Sequence, residues 1–499
     1  MYTAGSGRVS GADFADFLLG LPQQASLQYG PGLEQFRTQS WAAYIQDDWR
    51  VRTNFTLNAG VRYEYQAPYW EASNRLVNLD VAPGFTAAVP VLAGAIGPYS
   101  GAFPNTLVNP DKNNFAPRTG FAWRPKASWM VRGGYGINYS SVPYLSMVQN
   151  MAAQAPFAST NTLIGTTASP LYLTTVLATP VSATTTTTNF GVDPNYRVGY
   201  VHIWNLDVQR TFGRTMSVGA AYIGTRGAQL DLLRAPNRGP TGLRIAGVQP
   251  FTWESSGAHS IMHSLSVRVN RRLAQGLQGG ATYTLSKSMD NASSVGGAGG
   301  SIAQNDQDLG AEWSLSSFDQ RHRFSANVSW EVPLGNGRKW LNATGLLDGL
   351  FGGWMMNGTV TAATGSPFTV RVTGDVTDVA RGTNGTLRAD YNGQAIAIDN
   401  PTIAKYFNTA AFGIPATGTF GNSARNLVIG PGSNSLNASL MKNFTLPGSR
   451  SVALRIQGNN VLNQVQFSTI DTVVNSPTFG RVTGVRAMRS LQLILRFNY

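Results

Sequence analysis

The chain has 499 residues, no cysteine, 13% charged residues and a net charge of +13. The lack of cysteine excludes disulfides, thiolate metal sites and cysteine nucleophiles, and no run of about 18 apolar residues occurs, which excludes a spanning helix. Its 55 glycines suit one glycine-rich β-protein; the arginines, scattered singly on strand faces and in loops without a recognition helix, do not point to nucleic acid.

From the start, Met1 to Pro22 shows no basic stretch, apolar core and small-residue cleavage site, so no signal peptide is read there. Residues 1–35 are expected to be an extracellular loop segment leading into a barrel that occupies 36–499. A first strand is predicted over Phe36 to Trp49. From Asn54 to Tyr65, Phe55, Leu57, Ala59, Val61, Tyr63 and Tyr65 alternate with Asn54, Thr56, Asn58, Gly60, Arg62 and Glu64. That period of two belongs to a strand with one buried face. It recurs with Trp129, Val131, Tyr135, Ile137 and Tyr139 against Arg132, Gly134, Gly136 and Asn138, and with Leu277, Ala281, Tyr283 and Leu285 against Gln278, Thr282, Thr284 and Ser286. Phe324, Ala326, Val328, Trp330 and Val332 likewise oppose Arg323, Ser325, Asn327, Ser329 and Glu331. The chain ends on a strand whose Leu491, Leu493, Leu495, Phe497 and Tyr499 share one face, with Gln492, Arg496 and Asn498 on the other and Ile494 as the exception.

These faces decide the class. A small soluble barrel fills its interior with apolar side chains, whereas a large transmembrane barrel is polar inside and apolar outside, with aromatics at both interfaces. Here the polar faces carry charge, and aromatics stand at strand ends: Trp41 and Trp49, Tyr63 and Tyr65, Trp129 and Tyr139. Connections alternate. Short ones lie near Asp48 to Thr53, Pro125 to Ser128, Thr211 to Thr215, Arg271 to Gln275 and Leu446 to Arg450, with Pro333 to Leu350 taking a short-turn place. Long ones cover Gln66 to Asn114, Ser140 to Gly199, Thr225 to Ser260, Met289 to Asp319, Ala363 to Ser433 and Asn463 to Ala487. Short periplasmic turns and long extracellular loops are the pattern of bacterial barrels. The expectation is an all-β, large antiparallel transmembrane β-barrel in the outer membrane, with about thirteen strands visible. An odd count, set against the even number usual in such barrels, predicts that upward partners precede the first strand. The piece alone is expected not to insert stably, since unpaired strand edges in lipid cost several kcal/mol per backbone group.

Chemistry is sparse. His259 and His263 share a face in HSIMH without the glutamate or the helix of a zinc motif, and His322 in DQRHRF reads as part of a loop-anchoring charge cluster with Asp319, Arg321 and Arg323. Asn305, Asp306, Asp308, Asp290 and Asn291 supply oxygens of the kind calcium uses, in a loop where turn residues look the same. The tract SATTTTTN (Ser182 to Asn189) and GGAGG (Gly296 to Gly300) read as external loop. Gly60, Gly134, Gly136 and Gly280 on polar faces permit strand curvature or close packing. No nucleophile elbow or carboxylate pair is legible, so no enzyme, cofactor or metal is assigned.

Several stretches resemble the barrel of TonB-dependent outer-membrane receptors of the Oar-like, acidobacterial branch: GADFADFLLGLP (Gly11 to Pro22), RTQSWAAYIQDDWRVRTNFTLNAGVRYEY (Arg37 to Tyr65), NNFAPRTGFAWRP (Asn113 to Pro125) and YTLSKSMDN (Tyr283 to Asn291). AQNDQDLGAEWSLSSFDQRHRF (Ala303 to Phe324) and FNTAAFGIPATGTFGNSARNLVIGPGSNSLNASLMKNF (Phe407 to Phe444) complete the set. The resemblance implies a barrel of about twenty-two strands, with a plug and a TonB-contacting segment that this sequence lacks. It implies energy-coupled uptake of a large or scarce ligand such as a siderophore, oligosaccharide or peptide. The implied partners are outer-membrane lipid and lipopolysaccharide, the barrel-assembly machinery, the TonB complex through the plug, and an unknown extracellular ligand. Leu491, Leu493, Leu495, Phe497 and Tyr499 then form the signal that the assembly machinery reads. Two alternatives stay open: a passive pore or adhesion barrel without TonB coupling, and a secreted polysaccharide-binding β-protein such as a propeller, which predicts blades of roughly four strands at a regular period.

Overall fold

The computed structural model describes residues 17–22, 24–30, 33–140, 142, 144–164, 171–176, 189–239, 242–248, 250–292, 302–342, 344–372, 387–448 and 450–499. The GGAGG motif, nearly all of the threonine tract and the first half of GADFADFLLGLP lie outside them. Thirteen strands follow one another in a single ladder. They are β1 (Ser40–Arg52), β2 (Phe55–Gln66), β3 (Phe115–Trp123), β4 (Trp129–Tyr139), β5 (Tyr200–Phe212), β6 (Met216–Arg234) and β7 (Thr252–Ala274). The path continues through β8 (Leu277–Asp290), β9 (His322–Glu331), β10 (Trp354–Ala363), β11 (Ser433–Leu446), β12 (Arg450–Asn459) and β13 (Ser490–Asn498). Every neighbouring pair is antiparallel. Two short segments, Phe190–Val192 and Ser314–Leu315, join the sheet against β7 and β8. The long ladder is unlike the four-stranded blades of a propeller. β1 and β13 stand at its ends, each with one ladder neighbour among the described residues.

Directly opposed residues of an antiparallel pair share a face, so each face can be followed across the ladder. Val131, Val208, Ala220, Val267, Tyr283, Phe324 and Ala362 form one continuous apolar row. One residue away, on the other face, runs Arg132, Asp207, Ala221, Ser266, Thr284 and Arg323. The alternation therefore holds from strand to strand. Leu440, Ile456 and Leu493 carry the apolar face to the last strand, where Leu491, Leu493 and Leu495 are each about 70% exposed. Exposed leucines in such a row need an apolar solvent. Ile494 opposes Arg455 on the polar face, and Asp47 on β1 is a charged exception among the apolar side chains.

Short connections lie along one edge and long ones along the other, as the alternation predicts. Three boundaries differ. The first strand begins at Ser40 instead of Phe36, because Phe36–Arg37 turns aside to pair with Trp70–Glu71. The expected loop Thr225 to Ser260 is partly strand, since β6 and β7 run to 19 and 23 residues, well past the 9–11 or so needed to span a bilayer. Register shifts between Gly227 and Leu232 break the alternation there, which hid the extensions. β8 likewise continues to Asp290, past the Met289 start assigned to its loop.

Much of the buried apolar packing lies in the long connections. Leu76, Leu107, Tyr144, Met147, Val148 and Tyr196 join the connections after β2 and β4, where the helix α1 (Leu145–Ala152) supplies two of them. Val370, Phe407, Phe412, Val428 and Ile470 join those after β10 and β12. Leu79, Ile245, Phe251 and Trp253 tie the first connection to the third. Gln24–Tyr29 pairs with Ser159–Ile164 of the second connection, which sets part of 1–35 on the long-loop side.

Candidate functional site

The polar face and the connections above it form the candidate site. On β2, Arg62 pairs with Glu64; between β5 and β7, Asp207 accepts from Arg268. Arg118 donates to Asn138 Oδ1 at 2.8 Å, and the Ser266 and Thr284 hydroxyls lie 2.9 Å apart. Higher on this face a cavity of about 520 Å³ is lined by Ser264, Thr282, Thr284, Ser286, Phe318 and Arg323 among others. That volume falls within the roughly 300–1,000 Å³ typical of ligand pockets. Hydroxyls, one guanidinium, the Gln320 amide and the Asp319 carboxylate line it, a donor and acceptor set that can bind a polyhydroxylated ligand.

Above it, the connections after β8 and β10 meet. Arg388 Nη1 lies 2.7 Å from Glu312 Oε1, and Arg425 Nη2 lies 2.6 Å from both the carboxylate and the carbonyl oxygen of Asp290. Arg425 Nε also donates to the Glu312 carbonyl at 3.0 Å. Gln304 donates to the Gly421 carbonyl and accepts from the Arg388 amide, while Asn426 donates to the Leu315 carbonyl. Arg234 grips Asp306 through both carboxylate oxygens at 2.7 and 2.8 Å. All four members of the central set, Asp290, Glu312, Arg388 and Arg425, are buried. Sequence reasoning missed this network, because its partners lie 76 to 135 positions apart.

The expected oxygen donors are therefore engaged elsewhere: Asp290 and Asp306 with arginines, Asp308 capping the short helix Leu309–Glu312, and Asn291 accepting from the His259 amide. Among the described residues no group of three or more acidic or histidine side chains is placed to hold a metal ion. The histidine readings change too. Asp319 anchors its loop by accepting from the Ser288 amide at 2.7 Å, but His322 turns to the apolar face, with its Nδ1 2.6 Å from the Tyr283 hydroxyl. His263 meets Tyr222 in the same way, and His259 stacks on Trp313 at 4.8 Å. Basic residues also stand on the apolar face, contrary to expectation: Arg210, Arg226, Arg271, Lys287 and Lys442 share it with their apolar neighbours. Arg210 and Lys442 lie over aromatic rings beside the short turns, where Lys442 donates to the Gly352 carbonyl. Gly60 and Gly134 do sit on the polar face, where a Cβ would meet the carbonyls of Ile45 and Thr119 at 2.8 and 3.0 Å. The terminal Leu491, Leu493, Leu495 and Phe497 lie on the apolar face of β13, and Tyr499 follows, stacked near Phe497.

Above the apolar band, Tyr196 of the connection before β5 donates to Asp231 in the extension of β6, and the buried Glu254 of β7 stands nearby. Burial first, then the Asp231 charge, pushes Glu254 up to about 8. An unfolded glutamate ionises near 4.5; between these values the unfolded chain gives up the proton and the folded one keeps it. Local stability is thus highest below about pH 4.5, falls as pH rises and levels off above about 8. The expected outcome is faster proteolysis around 190–198 at pH 9 than at pH 6, and a flatter pH dependence in Glu254→Gln; an unchanged slope in that variant would count against the assignment.

Residues 1–492 match a family model described as "Outer membrane beta barrel domain". No curated protein sequence matches the chain significantly. Among solved structures, the outer membrane transporter YddB from Escherichia coli aligns at 10% identity and TM-score 0.45, covering 92% of this chain and 54% of its own. The siderophore receptor PiuA from Acinetobacter baumannii aligns at 12% and 0.43, with 92% and 43% covered. The ferripyoverdine receptor of Pseudomonas aeruginosa aligns at 10% and 0.44, with 92% and 38% covered. The chain thus spans about half or less of the length of each.

Proposed function

Since the chain belongs to the outer membrane β-barrel domain family and resides in the outer membrane, we propose that it is part of a TonB-dependent receptor taking up a large or scarce ligand by energy-coupled transport. The observation that carries this reading is the interlocked loop cap above a hydroxyl-lined cavity on the polar face. A ligand rich in hydroxyl groups, as in a siderophore, oligosaccharide or peptide, fits a pocket lined by hydroxyls with Arg323 and Asp319 among them. In this reading the whole receptor has about twenty-two strands and a plug within them that the TonB complex moves.

The test is uptake by cells expressing the full-length gene product, with and without TonB, across siderophores, oligosaccharides and peptides. Accumulation that needs TonB is the expected result; equal accumulation without it overturns energy coupling and leaves a passive pore. The apolar terminus, Leu491, Leu493, Leu495, Phe497 and Tyr499, serves in this proposal as the signal read by the barrel-assembly machinery. Replacing Phe497 and Tyr499 by alanine is expected to lower the folded protein recovered from outer membranes severalfold, and undiminished recovery would refute that role.

A further inference from the structure

Within the receptor reading above, on which this rests, we propose that Phe318 is the platform on which a ring of a neutral oligosaccharide stacks, with one sugar subsite on either side of it along the polar face of β7 and β8. Residues 316–321 are pinned to β8. The Ser316 amide donates to the Ser288 carbonyl at 3.0 Å, and the hydroxyls of the same two residues lie 2.8 Å apart. Asp319 accepts from the Ser288 amide at 2.7 Å, and the Ser286 amide and hydroxyl donate to the carbonyls of Arg321 and Gln320. Ser316 and Asp319 are buried, yet Phe318 between them is 50% exposed. A firmly held loop thus keeps an aromatic ring half in water. A ring fixed in advance loses little freedom when a ligand settles on it, which is what a recognition platform needs.

Phe318 stands where two cavities adjoin. The cavity of about 520 Å³ already described lies toward the short turns, and a second of about 240 Å³, lined by Asp231, His259, Ser260 and Asp290 among others, lies toward the cap. Phe318 is a wall of both. Ser264 opposes Ser286 in the lower cavity and Ser260 opposes Asp290 in the upper one, so the two follow one another along the same pair of strands. Two adjoining seats match a linear chain of repeated units better than one compact chelate.

The lining chooses the chemistry. Serine and threonine hydroxyls both donate and accept, as do the hydroxyls that rim a sugar ring. The C–H groups on the apolar face of that ring fit the negative face of an aromatic. Fixed charges of both signs stand in the groove, Arg323 against Asp319 and Asp231, so it favours no net charge. From β9 to β11 the polar face below is uncharged, with Ser325, Thr361 and Ser435 in one row and Asn327, Thr359 and Asn437 in the next. A neutral, hydroxyl-rich chain finds partners along that wall, whereas an anionic chelate finds no counter-charge there.

Isothermal titration calorimetry of the full-length gene product in detergent tests this, with neutral hexasaccharides of glucose, mannose, galactose and xylose as probes beside ferric enterobactin and hexaglycine. At least one hexasaccharide is expected to bind, roughly tenfold or more tightly than its monosaccharide, because only a chain fills both seats. Phe318→Leu, which keeps an apolar side chain without a ring, is expected to weaken that binding roughly tenfold, and Phe318→Tyr to keep it. Migration on unheated gels checks that both variants are folded, and the comparison of chain lengths on the parent protein needs neither. Binding of no hexasaccharide, a monosaccharide bound as tightly as its chain, full affinity in Phe318→Leu, or equal loss in the two variants overturns the site. TonB plays no part in calorimetry, so failure here removes the sugar and leaves energy coupling to the uptake assay; TonB-independent accumulation of a sugar that does bind defeats the transport reading alone.

Discussion

Replacing Arg425 by methionine is expected to release the connections after β8 and β10 from each other while the strand ladder stays folded. Arg425 is buried and donates to the Asp290 carbonyl and carboxylate and to the Glu312 carbonyl. Methionine fills much of the volume but leaves the Asp290 charge without this cation. Removing one partner of a buried pair costs about 3–5 kcal/mol, because the other charge stays desolvated. That is enough to undo a local lock, since loops open with free energies well below that of the whole fold. Proteinase K treatment of the full-length gene product should cut within 290–322 and 387–433 at least tenfold faster, with the barrel band on unheated gels unchanged. Adding Asp290→Asn removes the buried charge that Arg425 had offset and should recover part of the protection. If the single variant is cut no faster than the parent, the buried pairs do not hold the cap together.

The strands were legible because one physical rule acts on every residue of a spanning segment. With apolar solvent on one side and water on the other, side chains must alternate, and they do so at Phe55 to Tyr65 and at Phe324 to Val332. The same rule already placed His322, two residues before Phe324, on the apolar face; reading it with its charged chain neighbours obscured that. Where strands rise beyond the apolar band the rule lapses. The ends of β6 and β7 lost their alternation through bulges and passed for loop. The candidate site was the least legible part. Its pairs join Arg388 to Glu312 and Arg425 to Asp290 across connections without period, so no local pattern announces them. The clue available was chemical: with charged residues at 13% of the chain, arginines and carboxylates inside stretches that resemble one family call for partners in the fold.

The assignment of faces is itself open to a sharp test at two adjacent positions. Val267→Arg on β7 should destabilise the protein in lipid, while Ser266→Arg should not do so appreciably. Val267 stands between Ala220 and Tyr283 in the apolar row, 41% exposed, and about midway between the long-loop rim and the short turns. Arginine near the midplane of a barrel's lipid face costs about 2–4 kcal/mol. Ser266 points the other way, toward the Thr284 hydroxyl at 2.9 Å, on the face that also holds Arg268 and Arg323. A guanidinium there keeps its water and loses little more than one hydroxyl contact, though nearby cations add some repulsion. Urea unfolding of the full-length gene product in lipid vesicles, followed by tryptophan fluorescence, measures both. Equal losses, or a larger loss for Ser266→Arg, would mean that the apolar row does not face lipid. A selective loss at Val267 ties the period of two in the sequence directly to the solvent on each side of the sheet.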